Sequence, residues 1–165
     1  MAIRDALLAE FDHEMRTTRR LLERVPEEAL AWKPHEKSMS LAQLSLHLAN
    51  LSSWAQTIMG ADSFDLASLA PDTRPTMPTR EWLLNDFDTK TAAARKTFAE
   101  AADPAFLARW TLKKDGHEMF SLPRISAIRS FVMNHIIHHR GQLSVYLRLQ
   151  NVPVPAIYGP TADEG

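Results

Sequence analysis

The run Asn134-His135-Ile136-Ile137-His138-His139-Arg140-Gly141-Gln142 carries the densest chemistry in the chain. His135 and His139 are four residues apart, a spacing that stacks two side chains on one face of a helix. At about 100° per residue, Ile128, Val132, His135, His139, Leu143 and Tyr146 fall in one sector, so both imidazoles point where the apolar residues point. His138 lies on the flank, roughly 60° from His135 and about 100° from His139, and is the poorer ligand. His47 belongs to a second apolar stripe, with Leu44, Leu51, Trp54 and Ile58. Three inward imidazoles from two helices need polar partners, because an unpaired ring in an apolar core costs on the order of 1–3 kcal/mol. A divalent metal would serve all three. Three histidine nitrogens leave a coordination position open, the arrangement of sites where a metal does chemistry. Spacing leaves a second reading in place: core histidines bonded to carbonyls or hydroxyls.

The elements that must position these rings follow from the helical period, which dominates the apolar spacing. A first helix is predicted from about Ile3 to Arg24, with Leu7, Phe11, Met15 or Glu14, Thr18, Leu21, Leu22 and Val25 inward, stopping before Pro26. A loop through Trp32, Pro34 and His35 leads to Ser40-Leu41-Ala42-Gln43, which reads as a capping box. The second helix should continue from there to about Met59, with Gly60 as its terminator. Prolines 71, 75 and 78 mark a long connection, and Thr79 caps a third helix reaching to about Ala102. Trp110-Thr-Leu-Lys and His117-Glu-Met-Phe flank Lys114-Asp115-Gly116, a hairpin signal. A fourth helix runs from near Pro123 to about Gln150, followed by an extended, proline-bearing tail. The expected fold is all-α: a four-helix bundle with a long crossover connection between helices 2 and 3 and a small β-hairpin before helix 4, in a single domain spanning 1–165.

Composition narrows the function classes. Hydrophobic residues are 45% and charged residues 24% of the 165, a balance that can bury a core. Lys and Arg number 19 against 20 Asp and Glu, a formal net charge of -1 that argues against nucleic acid or an anionic membrane as partner. Cysteine is absent, which excludes disulfide scaffolds, zinc–thiolate sites, iron–sulfur clusters and cysteine nucleophiles. Arg4, Asp5 and Glu10 interrupt any leader core, and no apolar run approaches the roughly 20 residues of a membrane span. The expected location is the cytoplasm. No Ser–His–Asp order or phosphate-cradling glycine loop is present, and no spacing recommends Asp115 or Glu118 as a general base.

Asn134-His135 through His139-Arg140-Gly141-Gln142-Leu143, Pro155 with Tyr158-Gly159-Pro160, and Ser40-Leu41 through His47 together resemble the DinB-like family, as do Arg19, Leu21-Leu22 and Val25-Pro26-Glu27-Glu28. The resemblance covers nearly the whole chain, and His-x-x-x-His-Arg-Gly-Gln is its most specific piece. It implies a bundle with a crossover connection, often homodimeric. It also implies a divalent metal, nickel or zinc, held by His47, His135 and His139. Relatives of this kind include enzymes that activate a low-molecular-weight thiol on the metal and transfer it to an electrophile, so the same chemistry is expected here. A coordinated thiol is deprotonated outright, and in a chain without cysteine the thiol would be a substrate. The alternative is a non-catalytic metal- or small-ligand-binding stress protein; a third is a dimeric bundle whose histidines are only core polar groups. Around the triad, Arg140 could meet a substrate carboxylate or an acid inside the bundle, and Gln142 and Asn134 could support the ligands from outside. Gly141 should allow close packing, His13 should pair with Glu10 or Glu14, and Trp54 could wall a pocket. His35 and His117 should be solvent-exposed.

Overall fold

The computed structural model describes residues 2–164. Helix α1 (Ile3–Leu22) buries Leu7, Phe11, Met15, Thr18, Leu21 and Leu22, the predicted stripe, together with Glu14. It packs on α4 (Arg80–Glu100), where the edge of one ring meets the face of the other in the Phe11–Phe98 pair, with centroids 5.3 Å apart. Arg19 with Asp88 and Arg95 with Asp12 bridge the same two helices at 2.9 Å. The Thr79 hydroxyl caps α4 by accepting from the Trp82 amide.

The capping box is present in full: Ser40 Oγ accepts from the Gln43 amide at 3.1 Å, and Gln43 Oε1 accepts from the Ser40 amide at 2.8 Å. The helix it starts is shorter than expected. Helix α2 (Leu41–Asn50) passes through a 3₁₀ turn at Leu51–Ser53 before α3 (Trp54–Gly60) resumes. At that turn the Ser53 hydroxyl donates to the Asn50 carbonyl at 2.7 Å, a side-chain bond that competes with the regular ladder.

The expected hairpin exists and is larger: β2 (Arg109–Lys114) pairs antiparallel with β3 (His117–Pro123). Asp115 and Gly116 both take positive φ, 51° and 79°, as a two-residue hairpin turn requires. A third strand departs from the all-helical expectation. Strand β1 (Ser63–Asp65), inside the predicted connection, lies parallel to β2. One carboxylate explains its place: Asp65 accepts from the amides of Asp115 and Gly116 at 3.0 and 2.7 Å, so the turn is clasped from the neighbouring strand. The Ala67 amide, which donates to the same carboxylate at 2.9 Å, and then those of Gly116 and Asp115 hold the Asp65 carboxyl below its ordinary range. A short α5 (Asp103–Leu107) precedes β2, where the sequence reading placed only a helix stop.

The last helical stretch is continuous but not uniform. It comprises α6 (Arg124–Ile128), a π-helical turn at Arg129–Met133, and α7 (Asn134–Leu149). Both α1 and α2 pack against α4 and α7. No helix among the described residues is long and apolar enough to cross a membrane.

Candidate metal centre

Helices α2 and α7 meet through the three predicted imidazoles. Ligand nitrogens of His47, His135 and His139 all lie within 4.8 Å of one another. The Nε2 atoms of His47 and His135 face each other at 3.3 Å. Two nitrogens on a tetrahedral ion with bonds of about 2.0–2.1 Å stand about 3.3 Å apart, so the spacing matches the donor set of such an ion. Ring centroids are 5.0 Å apart for His47–His135, 4.5 Å for His47–His139 and 4.7 Å for His135–His139.

The backbone explains the convergence. The i, i+4 spacing puts His135 and His139 one above the other, with Ile136 and Leu143 buried beside them. The π turn one step earlier positions Phe131, whose ring packs on Trp54, Trp110 and Phe120 at centroid distances of 5.9, 6.1 and 5.4 Å. Phe131 also offers its carbonyl to the His135 ring. Wide turns of this kind recur beside functional sites.

Each ring is tuned toward its neutral, ligating form. Burial pushes His47 down to about 4, helped by His139, His135 and Arg74. His135 is lowered chiefly by burial and then by His139, against the opposing Phe131 carbonyl. His139 is lowered by burial, while its bond to Gln142 opposes the shift. That bond is short, 2.7 Å from His139 Nδ1 to Gln142 Oε1. An amide oxygen only accepts, so Nδ1 carries the proton and Nε2 keeps a lone pair free for a metal. Gln142 thus takes the supporting role considered for it, whereas exposed Asn134 has no hydrogen-bonding side-chain partner among the described residues.

Other sequence expectations divide. His138 is exposed and stands outside the triad, 4.8 Å from the His139 ring by centroids. His35 and His117 are exposed as expected. His13 does not pair with Glu10 or Glu14, because Arg129 takes the first and Arg140 the second; its ring lies 6.5 Å from that of Tyr158. Gly141 is not a close-packing position: a Cβ placed there meets nothing within 4 Å, because the residue faces outward. Trp54 belongs to the aromatic cluster with Phe64 and Phe131 and does not line the cleft beside the triad.

Arg140 resolves toward structure. Its side chain is 1% exposed and meets Glu14 Oε2 at 2.6 Å, the Glu14 carbonyl at 3.1 Å and the Tyr158 hydroxyl at 2.6 Å. Tyr158 in turn donates to Glu14 Oε2 at 2.9 Å. The guanidinium is fully engaged inside the protein and is not free for a substrate.

A family model described as the DinB family matches residues 2–165. The chain belongs to the DinB family. Its DinB fold is shared with a DinB-like protein from Bacillus cereus ATCC 10987 (TM-score 0.72, 18% identity, covering 95% of this chain and 98% of that one). A DinB-like protein from Bacillus subtilis superposes equally well, at TM-score 0.73 and 19% identity over 94% of this chain and 99% of that one. By sequence, this DinB chain is 24% identical to the uncharacterized protein YrdA of Bacillus subtilis (strain 168) over 160 residues, 97% of this chain and 90% of YrdA.

One feature of the site had no signal in the sequence. A cleft of about 770 Å³ opens beside the triad, lined by His47, Leu46, Gln43 and residues of the loops on either side, Lys33 to Ser40 and Asp72 to Met77. Arg74 fastens the second loop by donating to the Leu46 carbonyl at 2.8 Å while pairing with Asp72. Asp72-x-Arg74 between two prolines is a local turn pattern, but nothing in it tells which helix the arginine will reach.

Proposed function

We propose that His47, His135 and His139 hold a divalent metal, nickel or zinc, and that the chain is a metal-dependent enzyme transferring a low-molecular-weight thiol to an electrophilic substrate. The observation that carries the metal reading is the convergence of three neutral imidazoles from two helices, one with its outer nitrogen pinned by Gln142. When bound, the ion would supply the positive charge that keeps a thiol in its thiolate form near neutral pH. The chain's own residues do the rest. Burial keeps the three rings unprotonated, Gln142 fixes the tautomer and orientation of His139, and the cleft beside His47 gives a small molecule access. The thiol step itself is read from membership of the DinB family together with the absence of protein cysteine.

The same reading places the chain in the cytoplasm as one domain over 1–165, folded as a four-helix bundle of α1, α2–α3, α4 and α6–α7, and working as a homodimer. Metal analysis of the purified chain tests the site: about one ion per chain is expected, and almost none in His47→Ala. Equal, substoichiometric metal in both proteins refutes the triad. A non-catalytic metal- or ligand-binding stress protein is the second reading, favoured by a cluster that contains imidazoles and no carboxylate among the described residues. Metal-loaded protein that turns over no combination of small thiol and electrophile decides for that reading.

A further inference from the structure

We propose that the cleft beside His47 is a specificity site for anionic small molecules, and that Lys33 and Lys37 recognise a carboxylate on the ligand that approaches the triad. This rests on the metal reading only for where the ligand's other end goes. The cleft has three cationic residues, Lys33, Lys37 and Arg74, and one anionic residue, Asp72. Arg74 is already spent, with Asp72 on its guanidinium and the Leu46 carbonyl as a further acceptor. Lys33 and Lys37 are exposed, and neither forms an ion pair among the described residues. The cleft therefore carries about two uncompensated positive charges in a protein whose formal net charge is -1.

The helix end at the cleft cannot supply the anion site instead. Amides at the start of α2 are taken: Leu41 donates to the Trp32 carbonyl, Ala42 to the Leu30 carbonyl, and Ser40 and Gln43 to each other's side chains. Recognition falls to the two ammonium groups, which act as point charges and suit a carboxylate without demanding a planar fork. Leu46, Met39, Pro75 and Met77 give the lining an apolar part, beside the uncharged polar Ser38, Ser40, Gln43 and Thr76. A volume of about 770 Å³ lies in the range of small-molecule sites. The fitting ligand is therefore a carboxylate carried on a partly apolar skeleton.

The full-length protein and its double variant Lys33→Gln/Lys37→Gln test this in two arms. In the metal-free protein, succinate, neutral succinamide and inorganic phosphate are titrated while lysine side-chain and backbone NMR signals are followed. Succinate is expected to shift signals of Lys33, Lys37 and Gln43, to weaken about tenfold in the double variant, and to lose affinity with added salt. Equal binding of succinate and succinamide, or a double variant that binds succinate like the parent, overturns the proposal. Phosphate binding more tightly than succinate at the same residues overturns the carboxylate assignment.

In the cobalt-loaded protein, mercaptosuccinate is compared with 2-mercaptoethanol through the visible spectrum. Mercaptosuccinate is expected to saturate at about tenfold lower concentration, and the double variant to lose that preference while still responding to 2-mercaptoethanol. A preference that survives in the double variant overturns the role of the lysines. If neither thiol changes the spectrum, the thiol reading of the metal centre fails, and the metal-free titration still decides the cleft.

Discussion

Two polar clusters sit side by side on α7, and they differ in what is left over. Around Arg140, every strong group has a partner within the chain: the guanidinium has Glu14, the Glu14 carbonyl and Tyr158, and the Tyr158 hydroxyl has Glu14. Around His139, one residue earlier, ring nitrogens of His47, His135 and His139 converge to within 4.8 Å of one another, and among the described residues no carboxylate joins them. The first cluster is closed and the second is open. A buried polar network satisfied from within ties elements together, here α1, α7 and the tail. A convergence of lone pairs at ligand spacing has a place for something from outside. Neighbouring positions on one helix thus carry opposite kinds of polarity.

The largest effect should come from opening the closed cluster. Arg140→Met strands the Glu14 carboxylate in a buried position and is expected to lower stability by about 3–5 kcal/mol in denaturant unfolding. The double variant Arg140→Met/Glu14→Leu should recover most of that loss, because no buried charge remains. In contrast, His47→Ala in metal-free protein should cost less than about 1.5 kcal/mol, since it removes one of several crowded rings. A His47→Ala loss as large as that of Arg140→Met would mean that the triad is a closed network too. Next in size is closure of the open cluster by metal. A thousandfold excess of ion over its Kd should stabilise the parent by about 4 kcal/mol and leave His47→Ala unchanged, as read by thermal unfolding with and without chelator.

The open cluster was legible in the sequence and the closed one only in half. His135, His139 and His47 could be placed on inward faces because the helical period is local and survives folding. The same holds for the Ser40–Gln43 capping box and the Asp115-Gly116 turn, whose signals lie within a few residues. Arg140 could be suspected of a salt bridge, but Glu14, 126 positions away, shared its inward assignment ambiguously with Met15. Strand β1 was missed because three residues carry no period, and its place depends on Asp65 reaching another strand's turn. The cleft was missed for the same reason: Arg74 meets Leu46 only once the chain has folded back. Gly141 misled because a small residue next to a motif was read as tight packing, and the structure turns it toward solvent.

Two smaller effects sharpen the contrast. Gln142→Ala removes the acceptor that fixes His139 and is expected to weaken metal binding by about 10- to 100-fold without unfolding the chain, measured by competition with a chelator. An unchanged affinity would reduce Gln142 to a surface contact. The smallest effect is that of protons on the metal-free chain. Burial lowers His47 to about 4 and pushes His135 and His139 down from an ordinary value near 6.5. The unfolded state therefore binds more protons than the native one between those values. The stability linked to the rings is present above pH 6.5 and is lost as pH falls toward 4. Because the His47 ring is only partly buried, its contribution is roughly 1 kcal/mol or less after solvent screening. Removing His47 should flatten that limb of the stability curve. Arg140 and Glu14 stay in the His47→Ala protein, so any slope that survives there belongs to groups other than His47, and an undiminished slope would show that the His47 ring titrates alike in the folded and unfolded chain.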